Sequence, residues 1–444
     1  MITTLILMFV LGYLCITVEH KIKIDKAATA LFMFGLLWAV YTLMSGGAHV
    51  GSELMEHLGS TCETLVFLIG AMTIVDIIDT HGGFNIITKY ITTRNKIKLL
   101  CLIAVLSFFM SAVLDNMTTT IVMIMILRKM IQKQLDMWIF SGVIVIAANS
   151  GGAWSPIGDV TTIMLWMRGN VTTVPLVVYL ILPCLVSMLV PLLIVSQRYK
   201  RDSGEALSAE PVKLMLPQGV GSKFSLSVFF VGVLGLLSVP VFKSVTGLPP
   251  YVGMMFVLGA LWIFTEFVYG RKRTLEDTAK NRVSKVIRNI DMPTIMFFLG
   301  ILMSVACLQT AGILGTVANF LDQTVHEVFT ITSVVGVLSS VIDNVPLVAA
   351  CMGMYPVMTP EMLEVCADPT YMQAFTQDGL FWLLLTYCAG VGGSILIIGS
   401  AAGVVAMGLE KINFVWYLKN IAPVALLGYV AGIVVLYFES ILLM

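Results

Sequence analysis

Apolar residues run in blocks of about twenty along most of this 444-residue chain, separated by short polar punctuation. A bilayer core of about 30 Å takes about 20 residues of helix, so each block reads as a crossing, and about ten emerge. Uninterrupted blocks run from Thr3 to Val18, Ala27 to Met44, Val174 to Ser196, Phe224 to Phe242, Pro250 to Phe267 and Ile421 to Leu442. Others carry a polar break inside them: Ile97 to Leu127, Met137 to Trp166, Glu327 to Met358 and Phe381 to Met407. Two segments, Thr64 to Tyr90 and Thr294 to Phe320, are apolar, break at Asp79-Thr80-His81-Gly82-Gly83 and at Gln309-Thr310-Ala311-Gly312, and then resume briefly. That pattern predicts helical hairpins that enter the membrane and return. The fold class expected is an all-α polytopic membrane protein with broken helices and re-entrant hairpins.

The pattern also repeats. FGLLW at Phe34 to Trp38 returns as LGALW at Leu258 to Trp262, an offset of 224. TLVFLIG at Thr64 to Gly70 returns as TIMFFLG at Thr294 to Gly300, and Leu114-Asp115-Asn116 returns as Ile342-Asp343-Asn344, with offsets of 230 and 228. Gly151-Gly152 with Gly158 returns as Gly392-Gly393 with Gly399, at an offset of 241. Shared order and near-constant offset predict two structural repeats, residues 1–197 and 224–444, joined by a polar linker at 198–223. Each copy holds five crossings and a hairpin, so the second enters the membrane from the opposite side and the repeats are expected to be inverted. Basic loops at Lys21 to Lys26, Arg128 to Lys133, Arg198 to Lys223 and Arg271 to Arg288 would share the cytoplasmic side if the N-terminus lies outside, with Lys89 to Lys98 as the exception.

Composition narrows the class. With 58% hydrophobic and 12% charged residues and a mean hydropathy of +0.95, the chain lies far from the roughly 25% charge of a soluble domain. Its 26 basic and 26 acidic residues cancel, so no net field points to nucleic acid. Eight cysteines lack C-x-x-C pairs or a histidine at ligand spacing and read as small core residues, not as a disulfide or zinc framework. The first 18 residues have no basic n-region and no A-x-A site, and are expected to remain as a first span.

The breaks carry the chemistry. Asp115-Asn116-Met117-Thr118-Thr119-Thr120 interrupts an apolar run, where an unpaired carboxylate costs several kcal/mol. With Ser111 one turn before, it offers a carboxylate, an amide carbonyl, hydroxyls and freed backbone oxygens, which are hard ligands suited to Na⁺ or Li⁺. Asn149-Ser150-Gly151-Gly152-Ala153-Trp154-Ser155-Pro156-Ile157-Gly158-Asp159 cannot stay helical throughout and brings a second acid; exposed backbone there is tolerable where it lines a cavity or is covered by protein. Ser339-Ser340-Val341-Ile342-Asp343-Asn344-Val345-Pro346 repeats the first break, and Pro346 is expected to kink it. In Gly390 to Gly403, the mate of the second break, Ser394, Ser400 and small residues replace the acid, and close helix packing explains them as well as a ligand role does. Asp76 and Asp79 share a face of the first hairpin, and their place is left open. The five histidines, His20, His49, His57, His81 and His326, stay outside the core mechanism.

Exchange follows from these acids. Removal from water favours the protonated carboxyl, while a nearby Na⁺ favours the carboxylate, so proton and cation compete for Asp115 and Asp159. If only the loaded site crosses, competition is antiport.

Through AMTIVDIIDTHGGF at Ala71 to Phe84, LDNMTTT, NSGGAWSPIGDVTT, SSVIDNVP and GVGGSILIIGSAAG at Gly390 to Gly403, the chain resembles the NhaD-type sodium/proton antiporters of the ion transporter superfamily. The resemblance implies a Na⁺(Li⁺)/H⁺ exchanger of the bacterial inner membrane that needs no cofactor and is no enzyme, a homodimer with a scaffold and a moving transport region. Its functional set, carried onto matching positions, is Ser111, Asp115, Asn116, Thr118, Asn149, Asp159, Thr161, Ser339, Asn344 and, more distantly, Ser394; the repeat itself adds Asp343, and Asp115 and Asp159 are the expected Na⁺ ligands. The superfamily's architecture puts the first hairpin on the cytoplasmic side, against the basic loops, so absolute orientation stays open. The alternative is an anion carrier of the same superfamily, for a dicarboxylate or arsenite, although acids in both breaks would repel such a substrate. An intramembrane aspartyl protease built on Asp115 and Asp343 is disfavoured by the repeated five-span unit and the lack of a G-x-G-D run, and a channel by the paired breaks.

Overall fold

The computed structural model describes residues 2–17, 22–45, 50–84, 93, 95–128, 130–201, 222–271, 283–288, 290–341, 343–366 and 368–443. Among these residues no β-strand occurs, and nine helices are long and apolar enough to cross a bilayer. The protein is an all-α polytopic membrane protein. The longer helices are numbered in chain order. α1 (Ile2–Thr17), α2 (Lys26–Ser45) and α3 (Val50–Thr80) open the chain. The first broken crossing is α4 (Lys96–Leu114) with α5 (Asn116–Arg128), the second is α6 (Gln134–Ala153) with α7 (Val160–Met167), and α8 (Thr173–Arg201) follows. Then come α9 (Ser222–Thr246), α10 (Pro250–Arg271), a helical hairpin of α11 (Met292–Thr310) and α12 (Ile313–Thr324), and two more broken crossings, α13 (Val328–Leu338) with α14 (Asn344–Met354) and α15 (Leu380–Gly392) with α16 (Ala401–Glu410); α17 (Ala422–Leu443) ends the chain.

All four breaks expected inside apolar runs are present. Helix starts are capped where the sequence provides an oxygen. Asn95 accepts from the N–H groups of Ile97 and Lys98 at 3.0 Å, and Glu327 from Phe329 at 2.9 Å. Asp291 accepts from the Thr294 hydroxyl at 2.6 Å and its N–H at 3.3 Å. Each cap satisfies donors that the first helical turn leaves unpaired. The α11–α12 turn passes through Gly312 at φ +72°, a left-handed conformation that favours glycine.

Packing runs crosswise between the two halves. α2 lies along α11, and α10 lies along α3. Gly300 of α11 is pressed so close to α2 that a Cβ there would sit 2.5 Å from the Ala30 carbonyl carbon, and the Trp38 indole donates to the Met303 carbonyl at 2.8 Å. α4 packs on α6 as α13 packs on α15. α8 and α17 pack along each other, with Gly428 against the Ser187 carbonyl, which Pro191 leaves without its helical donor.

Several expectations change. α3 starts at Val50, fourteen residues before the apolar run at Thr64, because Glu53, Leu54, Met55 and Glu56 are good helix formers even where they are not apolar. Hydropathy marks where a chain meets lipid, not where its helix begins. The returning limb of the first hairpin, 85–92, lies outside the described residues, as does most of the linker at 198–223 and of the basic stretch Arg271 to Arg288. Of the cysteines, Cys184, Cys307, Cys351 and Cys388 are buried as expected, while Cys15 and Cys62 are exposed on helix faces.

Candidate functional site

Each broken crossing restarts on a side-chain oxygen at the positive end of its second half-helix, where negative charge is stabilised. The Asp115 carboxylate accepts from the Thr118 N–H at 2.7 Å and the Thr118 hydroxyl at 2.8 Å, capping α5. Its backbone, at φ +78° and ψ 161°, lies in a region nearly reserved for glycine, which costs about 1–3 kcal/mol and persists only where the surroundings impose it. Asp159 caps α7, accepting from the Thr161 N–H and hydroxyl, both at 3.1 Å. Asp343 caps α14 through the Val345 N–H at 3.4 Å, and Ser400 caps α16 through the Gly403 N–H at 3.2 Å.

These ends converge. Asp159 is 1% exposed. Asn116 donates one amide to Asp159 Oδ2 at 2.8 Å and to Asn149 Oδ1 at 3.1 Å. Asn344 donates to both Asp159 oxygens at 3.4 Å, so one acid is held by the asparagine of each repeated Asp-Asn pair. The Asn149 amide continues the chain to Ser400 Oγ at 3.1 Å and to the Val145 carbonyl at 2.8 Å. Asp115, Asn116 and Thr118 line a cavity of about 210 Å³, whose wall also carries Asp76, Asp79 and Asp291. The site is thus a set of carboxylate, amide and hydroxyl oxygens between half-helix ends, the kind of setting in which membrane transporters hold small ions.

The expected residues do not all come together. Asn116, Asn149, Asp159, Thr161 and Asn344 form one hydrogen-bonded cluster, and Asp115 with Thr118 forms a separate bonded pair at the cavity beside it. Ser111 and Ser339 do not point at an acid: their hydroxyls donate to the carbonyls of Ala148 at 2.6 Å and Ala389 at 3.0 Å, two equivalent braces between a half-helix and its neighbour. Ser394 stands apart, donating to the Val391 carbonyl at 2.7 Å, while its own carbonyl accepts from the Tyr417 hydroxyl at 2.8 Å. Asp343 faces Lys26, with Oδ2 3.8 Å from Nζ. Pro346 kinks nothing, since it sits in the first turn of α14, where its missing N–H is not needed. For the glycines, close packing holds. A Cβ on Gly151 would fall 2.1 Å from the Phe108 carbonyl oxygen, and one on Gly392 would fall 2.2 Å from that of Gly336.

Of the two serines that replace the acid in the mate of the second break, it is Ser400, paired with Asp159 by the 241-residue offset, that reaches the cluster through Asn149. Thr119 and Thr162, in the first turns of α5 and α7, have buried hydroxyls without a hydrogen-bond partner among the described residues. Because Asn116 binds Asp159 at 2.8 Å and Asn344 at 3.4 Å, Asn116→Ala is expected to weaken ion binding about tenfold and Asn344→Ala about threefold, the difference between a good and a poor bond to a charged group. Titration of initial rates against ion concentration checks the order; equal effects would contradict it.

Comparison with known proteins agrees with this geometry. A family model described as citrate transporter matches residues 6–373. Sodium/proton antiporter 2 of Arabidopsis thaliana is 42% identical over 428 residues, covering 96% of this chain and 97% of the relative. Sodium/proton antiporter 1 of the same plant is 42% identical over 434 residues, covering 96% and 70%. The Na⁺/H⁺ antiporter NhaD of Vibrio cholerae is 32% identical over 458 residues, covering 97% and 90%. The chain belongs to the NhaD-type sodium/proton antiporter family. Antiporters of this family are multi-pass membrane proteins that need no cofactor, Na⁺ and H⁺ being their cargo. NhaD-type membership accounts for polar breaks deep in apolar helices, which a purely structural bundle has no reason to keep.

Proposed function

We propose that the protein exchanges Na⁺, and also Li⁺, for protons, the cation and the proton competing for Asp115 and Asp159. The observation that carries this reading is the placement of Asp159, buried and held by Asn116 and Asn344 from the two breaks. A carboxylate so placed is costly unless an ion or a proton neutralises it, and only one of the two can do so at a time. Asn149, Thr118 and Thr161 supply further hard oxygens. The names of the plant and bacterial relatives support the same activity. Citrate, which the family model's description suggests, is disfavoured by charge: a tricarboxylate would face Asp115 and Asp159, and Lys26, which lies beside the third break, is already against Asp343.

The reading includes two inverted repeats, 1–197 and 224–444, joined at 198–223. It is supported by the crosswise pairing of α2 with α11 and of α10 with α3, and by the equivalent braces of Ser111 and Ser339. It also includes a homodimer in a bacterial-type inner membrane, with a role in pH homeostasis. The test is Na⁺-evoked proton movement in proteoliposomes or everted vesicles from a host without its own exchangers, from pH 6 to 9. Collapse of an imposed pH gradient by Na⁺ or Li⁺ but not choline is expected. No response, with labelled citrate, dicarboxylate or arsenite moving instead, would transfer the function to the anion carriers.

A further inference from the structure

The two Asp-Asn breaks share a sequence but not a setting. Three residues after Asp115 stands Thr118, whose N–H and hydroxyl both bind the carboxylate. Three residues after Asp343 stands Pro346, which has neither donor. The Tyr13 hydroxyl bonds the Asp343 backbone, while the Asp343 carboxylate accepts one long backbone bond, from the Val345 N–H at 3.4 Å. What it has instead is a cation: Lys26, the first residue of α2, lies 3.8 Å from Oδ2. The ammonium of Lys26 also sits 4.5 Å from the centroid of the Phe297 ring of α11, so it is held between an aromatic face and a carboxylate. Asp115 has the strained φ of +78° and lines the cavity, whereas Asp343 has an ordinary φ of −48° and is absent from the cavity wall. The 224-residue offset of the first repeat match places Pro250 opposite Lys26, so no lysine mirrors it in the second repeat.

We propose that Lys26 is a built-in counter-cation for Asp343, a specificity-determining residue that withholds this carboxylate from the transported ions and leaves Asp115 and Asp159 as the competing pair. It rests on the exchanger reading above. The neighbouring residue Asn344 reaches Asp159, so a third free carboxylate would lie close beside the site. Two repeated breaks therefore act as one site. Removing the lysine releases Asp343 to hold a cation more tightly and to let it go more slowly.

The test is a double-mutant cycle on the purified, reconstituted protein: native, Lys26→Met, Lys26→Arg, Asp343→Asn and Lys26→Met/Asp343→Asn. Two readouts are taken, the Na⁺ concentration for half-maximal proton flux and the melting temperature in detergent. Lys26→Met is expected to lower the half-saturating Na⁺ concentration about tenfold with a reduced maximal rate, as 1.4 kcal/mol of charge interaction would. Lys26→Arg, which keeps the charge, stays within about threefold of native. In the Asp343→Asn background, Lys26→Met should change neither readout further. An equal effect of Lys26→Met with and without Asp343, no effect of it in either background, or a Lys26→Arg variant as altered as Lys26→Met would overturn the proposal. If the native protein moves no protons on addition of Na⁺, the exchanger reading fails by itself. The melting cycle then still decides the pair: Lys26→Met must lower the transition only while Asp343 is present.

Discussion

Asp159→Asn is expected to reduce Na⁺-evoked proton movement to background across pH 6 to 9, at least about a hundredfold, while the protein still inserts and elutes as a single species. The replacement keeps the shape of the side chain and the oxygen that caps α7 through Thr161. It removes the charge and the titratable proton together. It also places an amide where Asn116 and Asn344 already direct theirs, so donor meets donor in a site that is 1% exposed. With no carboxylate to alternate between cation and proton at this position, neither ion can displace the other there, and the exchange cycle is lost as a whole. Initial rates in proteoliposomes check the claim, with Asp115→Asn measured beside it. Retention of native exchange by Asp159→Asn would end the competition mechanism, since no proton could be displaced from that position.

Gly151→Val is expected to prevent stable folding outright. Its Cβ would have to lie 2.1 Å from the Phe108 carbonyl oxygen and 2.8 Å from the Phe108 Cα, and backbone on a packed half-helix cannot rotate away as a side chain can. Overpacking of flexible neighbours costs about 1–3 kcal/mol, and a clash with rigid backbone costs more. Gly35 is the control. It is also helical, but nothing lies within 4 Å of its added Cβ, so Gly35→Ala should be neutral or stabilising by about 0.5–1 kcal/mol. Fluorescence-detected size-exclusion chromatography after gentle extraction separates the two outcomes; a well-behaved Gly151→Val protein would show that α4 and α6 are not held as described.

Much of the architecture could be read from the residues because bilayers impose simple rules. Apolar length located the crossings, and Asp115 and Asp343 betrayed their breaks because no lipid-facing helix carries Asp-Asn at its centre without a reason. The connected cluster of Asn116, Asn149, Asp159 and Asn344 was legible for the same cause. Other features were not. Ser111 and Ser339 looked like ligands because a hydroxyl near an acid carries no mark of whether it will donate to that acid or to a carbonyl of the next helix; the backbone of Ala148 and Ala389 decides this, and backbone leaves no trace in sequence. The start of α3 was hidden because Glu53 and Glu56 lower hydropathy without opposing a helix. Lys26 belonged, by every local criterion, to a basic loop. Its role depends on Asp343, more than three hundred residues away in the chain.

The crosswise arrangement of α2 on α11 and α10 on α3 bears on how such a chain is made. When the ribosome has delivered the first eight helices, the face of α2 that will receive Gly300 and Met303 has nothing to rest on except lipid. The site is then half assembled, since Asn344 and Ser400 are still to be translated. Insertion and folding are thus separated in time: the early helices enter the bilayer as spans but gain their final neighbours only after the later ones arrive. The site is complete only when the second half packs against the first and brings Asn344 and Ser400 to Asp159 and Asn149.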